Sequence, residues 1–507
     1  MKNNRKLSKT NYLIWRDCPH NAWIKQNRPD IYNANPPSAF EQGLFDTGNE
    51  VDELARELFP GGRLVARGNA EGTRALIEAR APVLYQPVFE TRRFTTACDI
   101  LVWDEAAQVY DLYEVKSSTT RGETKKRREL YAQDLAFQAA VLAMNNVPLG
   151  RFNLIRLDSA YERGDALDVG VLFNAEDFSA DVAYVTDTLA MDMDAAHDWL
   201  ALKNEPEGPC VCVQKSRSNQ CTSFAHINPD IPDYSVHDIS RIGLSKKKLT
   251  DLVEAGVMDI RDVPADTKLS TIQANQVEAA KTGRAKIDHG RVTEFLSAMV
   301  YPLTFIDYET YPAGIPRYRG FHPFDQIPFQ FSLDIISAPG AEIKHHEFLA
   351  TDAKCPDVAF IAALQSALPD AGSVIVWNKK FEMTINKKLT TRNPGHAEFL
   401  ENVNGRVIDL EDVFSKQSYV HPGFKGRSSI KSVLPVLVPK LSYKALEIQE
   451  GASASEAWNR MVSGELTKTE AEETAHDLLK YCALDTLAMV EIWRVLESEV
   501  GELRKVG

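Results

Sequence analysis

The sequence predicts a mixed α/β protein in three regions, on three observations. Apolar runs at residues 304–307, 329–336 and 373–377 alternate with helix-period stretches, which is the pattern of strands covered by helices. A second strand-like pair, residues 98–103 and 109–117, is split by a polar turn at 104–108. Between these two sets, residues 236–290 read as nearly all helical, with Leu244, Leu249, Leu252 and Val253 at or near helix spacing. The regions are therefore residues 1–225, 226–290 and 291–507, with no internal repeat.

Composition narrows the function classes. A chain of 507 residues suggests two to four domains, at roughly one per 150 residues. With 44% hydrophobic and 25% charged residues it is globular and not disordered. Residues 1–19 are basic and polar without a signal-peptide core, and no run reaches the length of about 18 apolar residues that spans a bilayer. A cytoplasmic protein with no membrane partner is the expectation. Seven cysteines, an odd number unevenly spread, argue against a disulfide framework. A net charge of −13 argues against a protein that coats nucleic acid indiscriminately. It leaves room for a nuclease, whose metal site is acidic and whose groove alone must be basic.

In the first region the strand pair forms a hairpin with Asp99 on one arm and Glu114-Val115-Lys116 on the other. The two-residue strand period puts Glu114 and Lys116 on one face and Val115 in the core. Two carboxylates can bind a divalent ion while the ammonium stabilises phosphoryl charge; an edge strand with solvent-facing charges is the bland alternative. Arg121, Lys125, Lys126, Arg127 and Arg128 follow, opposed only by Glu123. A helix is then expected over 129–144, with Tyr131, Asp134 and Gln138 on or near one face. Residues 203–232, rich in Pro, Cys, Ser and Asn, read as a boundary or a metal-bound loop.

In the connector, Ser245-Lys246-Lys247-Lys248 and the glycine-containing stretch 255–264 suggest a helix–turn–helix hairpin able to present amides to a phosphate, or a plain helical spacer. In the third region Asp307-Tyr308-Glu309 lies in a strand, so both carboxylates face one side. Tyr481 and Asp485, four apart in a helical stretch, share a face. Brought together, these carboxylates can hold two divalent cations that clamp the oxygens of a phosphodiester.

These residues carry resemblances. The first region resembles a RecB-type nuclease of the PD-(D/E)xK superfamily, with its restriction-endonuclease-like fold, and is most similar to the iron–sulfur exonucleases of CRISPR adaptation. Leu7-Ser8-Lys9-Thr10 through Cys18-Pro19 resembles their leader, residues 48–52 their helix motif, Asp99 and Glu114-x-Lys116 their catalytic hairpin, and Gln138 their following glutamine. Asp52 stands where many relatives carry a metal-binding histidine. The resemblance implies a [4Fe–4S] cluster on Cys18, Cys210, Cys212 and Cys221, with His226 as a possible substitute ligand and zinc as the rival occupant. The third region resembles the RNase H-like DEDD exonucleases of the tyrosine subtype. Asp307 and Glu309 match the first motif, Asn378-x-x-Phe381-Glu382 the second and Tyr481-x-x-x-Asp485 the third. Glu382 replaces the usual aspartate.

Nearly the whole chain resembles a bacterial family that fuses these two nuclease-like modules. The resemblance implies nuclease folds and Mg²⁺- or Mn²⁺-dependent chemistry but no particular substrate. The expectation is a bifunctional nuclease with DNA favoured over RNA, in repair or in defence against foreign DNA. A nucleic-acid-binding scaffold with degenerate sites and an RNA-processing exonuclease are the alternatives.

Overall fold

The computed structural model describes residues 5–34 and 37–506. Its N-terminal sheet has six strands in sequence order: β1 (Arg63–Leu64), β2 (Val83–Tyr85), β3 (Ile100–Asp104), β4 (Val109–Thr119), β5 (Leu149–Leu157) and β6 (Phe173–Asp177). β3 and β4 form the expected antiparallel hairpin, whereas β4 and β5 run parallel. A parallel pair needs a long crossover, and the helix α4 (Lys125–Met144) supplies it. Even-numbered Tyr110 and Leu112 of β4 enter the core under α4, while Tyr113 and Val115 face the opposite core. That parity puts Glu114 and Lys116 beneath α4.

Ahead of this sheet, α1 (Lys9–Asp17) and α2 (Pro19–Asn27) meet at Cys18, and α3 (Ala39–Ala55) starts with a Ser38–Glu41 capping box. Behind it, α5 (Ser179–Leu200) packs on α4. The connector contains α6 (Lys246–Glu254) and α7 (Thr271–Thr282), the latter closed by Gly283 in the left-handed region.

The second sheet is built from β7 (Leu303–Pro312), β8 (Gln326–Ile336), β9 (Ile343–Leu349), β10 (Ser373–Val376) and β11 (Val407–Asp409), in the order β9-β8-β7-β10-β11. β7 pairs antiparallel with β8 and parallel with β10. Helices α8 (Asp357–Ala367) and α9 (Lys379–Arg392) cover one face. α10 (Ile430–Leu437), α11 (Gly451–Ser463) and α12 (Lys468–Val506) cover the other. In β7, Ile306 and Tyr308 point to the α8–α9 side and Leu303 and Phe305 to the α12 side. Asp307 and Glu309 share the parity of Phe305 and so face α12.

Four local expectations are corrected. The strand expected at 98–103 begins only at Ile100, because Cys98 and Asp99 bond to Pro87 and Gln86 through their backbones instead. The helix expected at 129–144 starts four residues earlier, since Thr124 caps it by accepting from the Arg127 amide. The connector is less helical than its periodicity implies: its second arm at Ile260–Asp262 is a single 3-10 turn, and Leu244 is 85% exposed rather than in the core. Finally, the strand expected at 373–377 stops at Val376, where Trp377 turns away to donate to the Ser428 carbonyl.

The modules abut. Arg163 and the 320–321 segment exchange backbone hydrogen bonds, and Lys286–Ile287 of the connector pairs antiparallel with Tyr419–Val420. No helix among the described residues is long and apolar enough to cross a membrane.

Candidate metal and active sites

Glu114 is the centre of the N-terminal site and is buried. Lys116 donates to it at 2.5 Å and to Asp134 of α4 at 2.6 Å. Lys9, the first residue of α1, donates to the same Glu114 at 3.0 Å and pairs with Asp134 at 3.0 Å. Gln138, one turn beyond Asp134, donates to Glu114 at 2.6 Å. Burial alone would raise the Glu114 carboxyl, but Lys116 and Lys9 together hold it below the usual range. Asp99 lies beside this cluster, accepting from the Val115 amide at 2.8 Å. Its burial, reinforced by the Glu114 charge, pushes it up to about 7.

Asp52 is connected to Asp99 through Gln86, whose amide donates to Asp52 at 3.1 Å and to Asp99 at 3.3 Å. Asp52 is also ion-paired with Arg56 one turn on. The predicted residues are thus brought together, with their negative charge largely matched by protein cations. Lys9 as a cation over Glu114, and Gln86 as the bridge, were not foreseen.

The C-terminal site has the opposite balance. Ligand atoms of Asp307, Glu309 and Asp485 lie within 4.8 Å of one another. Burial and then the Asp485 charge push Asp307 well above the carboxylate range, burial and then Asp307 and Asp485 do the same to Glu309, and burial pushes Asp485 up to about 6. Glu382, in the first turn of α9, is buried, and one of its carboxylate oxygens has no hydrogen-bond partner. Its burial and the nearby Asp307 raise it as well.

Tyr443, which no motif pointed to, donates to Asp485 at 2.5 Å. The Tyr481 phenol is raised by burial and then by Asp485 and Glu309, so it stays protonated. Lys431 is the cation that reaches this cluster, with its ammonium 5.3 Å from the Tyr481 ring centre. Gly451 opens α11 against the site: a Cβ there would lie 3.5 Å from Glu309 and 3.7 Å from the Tyr481 hydroxyl. Asn378, in the left-handed region, and Lys379 donate their amides to Asp409 at 3.0 Å each, which fixes the start of the helix that carries Glu382.

The third grouping is Cys18, Cys210, Cys212 and Cys221, whose sulfurs also lie within 4.8 Å of one another. Cys18 sits at the junction of α1 and α2, Cys210 precedes the 3-10 turn Val211–Gln214, and Cys212 lies within it. Asn228 donates to the Cys210 sulfur at 3.5 Å. His226 stands apart, paired with Glu205 at 2.8 Å. Among the described residues, these two groups, four thiols and three carboxylates, are the ones that gather three or more ligand atoms at metal-binding spacing. An all-oxygen set carrying excess negative charge fits a hard divalent ion, and a four-thiol set fits zinc or an iron–sulfur cluster.

Comparison with known proteins gives a partial frame. Residues 304–429 match a family model described as "Domain of unknown function (DUF2779)". That span carries Asp307, Glu309 and Glu382, and ends before Lys431, Tyr481 and Asp485. The chain is 26% identical over 236 residues to "Uncharacterized protein UU173" of Ureaplasma parvum, covering 39% of this chain and 32% of that protein. It is 27% identical over 209 residues to "Uncharacterized protein MG366" of Mycoplasma genitalium, covering 37% and 31%. The chain spans about a third of the length of these curated relatives. No solved structure matches.

Proposed function

We propose that the chain is a metal-dependent nuclease that cleaves DNA phosphodiester bonds, with a DEDD-type, RNase H-like exonuclease centre in its C-terminal module. The observation that carries this reading is the close meeting of half-buried Asp307 with buried Glu309 and Asp485, with buried Glu382 beside them and Lys431 as the cation that reaches the three. Uncompensated buried carboxylates are costly, and proteins keep them where a cation belongs. Divalent ions held by these four side chains would supply a nucleophilic water and stabilise the leaving oxygen. Tyr481, protonated and beside Glu309, donates a hydrogen bond that orients the water. Tyr443 holds Asp485 in place, and Lys431 contributes positive charge for the phosphoryl oxygens.

The N-terminal module supports a second, RecB-like PD-(D/E)xK centre at Asp99, Glu114 and Lys116, with Gln138 positioning Glu114 and with Asp52 as an additional ligand once released from Arg56. Lys9 favours a rival reading for this module alone, a binding scaffold in which an ammonium takes the cation's place. For the thiols the spacing favours zinc. Zinc–sulfur bonds of about 2.3 Å put tetrahedral sulfurs roughly 3.8 Å apart, whereas a four-iron cube, with one thiolate outside each corner, spreads them wider.

DNA repair or defence against foreign DNA is the setting this activity suits. The test is cleavage of labelled single- and double-stranded DNA and RNA by the full chain in Mg²⁺, Mn²⁺ and EDTA. Metal-dependent shortening of DNA is expected. RNA cut in preference to DNA would move the reading to RNA processing, and no cleavage of any substrate would defeat it.

A further inference from the structure

A recess of about 230 Å³ separates the connector from the C-terminal module. It continues into a second of about 650 Å³, the two sharing Ser240, Arg241 and Arg427. Arg241 stands on the connector wall and Arg427 on the opposite one. Both are exposed, and among the described residues neither has an ion-pair partner within 4 Å. Asp238, which lines the second recess and feels the charge of Arg427, is held through both oxygens by Arg217 at 2.7 Å. In a chain of net charge −13, two surplus guanidiniums facing one recess are conspicuous.

The walls are built, not incidental. Arg241 (φ 57°) and Lys425 (φ 48°) both lie in the left-handed backbone region, which residues with side chains seldom occupy and which clusters at functional sites. Gln276, itself buried, accepts from the Ser240 amide at 2.8 Å and donates to the Asp238 carbonyl at 2.9 Å. Gly426 lies so close that a Cβ there would be 2.3 Å from the Gln276 amide, and Ser240 donates to the Gly426 carbonyl at 3.0 Å. Connector and module are therefore zipped along the floor of the recess while its arginines stay free. The lysines that suggested a phosphate-binding hairpin are engaged elsewhere: Lys247 pairs with Asp251, and Lys248 donates to Gln273.

The chain that carries Arg427 runs on from the recess wall toward the carboxylates. From Arg427 the chain runs through Ser428 and Ser429 to Lys431, four residues spanning at most about 14 Å, and Lys431 reaches the Asp307–Glu309–Asp485 cluster. Cations on the recess walls, followed by Lys431 at the carboxylate cluster, suit the successive phosphates of a strand.

We propose that this recess binds the phosphodiester backbone of a single nucleic-acid strand, with Arg241 and Arg427 contacting successive phosphates and Lys431 the one nearest the carboxylates. The two recesses, of about 230 and 650 Å³, have room for the backbone of one strand. The proposal rests on the nuclease reading only for where the strand leads, not for its binding.

The experiment is equilibrium binding of labelled single-stranded DNA and RNA of about 20 nucleotides to the full chain in EDTA, where cleavage is not required, across a range of salt. The R241A/R427A variant is expected to bind about tenfold more weakly, and its log Kd against log salt slope to fall by about 1.4, as two lost single-strand phosphate contacts dictate. K247A, outside the recess, should bind as wild type, and circular dichroism should show both variants folded. The DNA and RNA arms identify the strand the recess prefers. Wild-type affinity and salt slope in R241A/R427A, or tighter binding of duplex than of single strand, would overturn the proposal. A chain that cleaves nothing yet loses strand binding in R241A/R427A would defeat the nuclease reading alone. One that cleaves and binds normally with both arginines removed would defeat the recess alone.

Discussion

The two carboxylate sites have nearly the same raw material and opposite electrostatics. At the N-terminal site Glu114 and Asp134 meet Lys9 and Lys116 at 2.5–3.0 Å, so the protein supplies its own counter-charge. At the C-terminal site Glu309, Glu382 and Asp485 are buried and Asp307 is half-buried. All four are pushed above their ordinary range, and Lys431 is the cation that reaches Asp307, Glu309 and Asp485. The lesson is that an Asp and a Glu-x-Lys at the right spacing do not by themselves define a vacant cation site. What distinguishes such a site is whether a lysine or arginine from elsewhere in the chain already answers the charge.

The largest effect expected is on catalysis. D307A and D485A should each abolish the cleavage that survives in E114A, a loss of at least about 10³-fold, because a ligand and its ion go together. Y481F removes a hydroxyl and no ligand, so its loss should be partial, roughly the 10²- to 10⁴-fold of a positioned acid–base group. Single-turnover rates on end-labelled DNA order the three variants. Equal rates for D307A and Y481F would erase the distinction between ligand and positioning residue.

Lys9 is the next lever. K9M leaves Glu114 and Asp134 with one ammonium fewer, and stripping one partner from a buried charge cluster costs about 3–5 kcal/mol. The variant should melt lower in EDTA and recover in Mn²⁺, which takes the vacated charge position. If K9M melts as wild type and gains no metal response, the self-neutralised description of the N-terminal site is wrong. The cysteine group gives a related but smaller effect. C18A should lower metal content and loosen the α1–α2 corner, read by elemental analysis and thermal melting. Zinc in the wild-type protein agrees with the sulfur spacing, and iron with inorganic sulfide contradicts it.

The smallest effect is on pH. Asp485, pushed up to about 6, holds more protons folded than unfolded between roughly pH 4 and 6, and Asp307, Glu309 and Glu382, also raised by burial, act in the same direction. The metal-free protein therefore loses stability as pH rises through that window. A divalent ion offsets this only once the groups ionise. The Mn²⁺-induced rise in Tm should therefore be larger near pH 8 than near pH 5.5, and a rise independent of pH would mean that the buried carboxylates are not its cause.

What was legible in the sequence follows the range of the interactions. The period of two that pairs Asp307 with Glu309, and the period of four that pairs Tyr481 with Asp485, are local, and both appear as read. The hairpin carrying Glu114 and Lys116 is equally local, though Asp99 precedes its strand because the chain there bonds to residues 86–87. Lys9 acts on Glu114 across 105 residues and Tyr443 on Asp485 across 42. Lys9 lies in the leader, where nothing local points to Glu114, and Tyr443 carries no motif, so only the fold reveals the two contacts. Leu244 misled for the related reason that helix spacing continued past the point where a 3-10 turn exposes it. The departure at Glu382 was visible at once, but its consequence, a buried oxygen with no partner, was not.

Mn²⁺ titration of the full chain, followed by electron paramagnetic resonance, tests the contrast between the two sites most directly. Wild type and E114A should bind Mn²⁺ with the same high-affinity stoichiometry, and D307A/D485A should lose those ions. Retention of every tightly bound Mn²⁺ in D307A/D485A, with loss in E114A, would contradict the account.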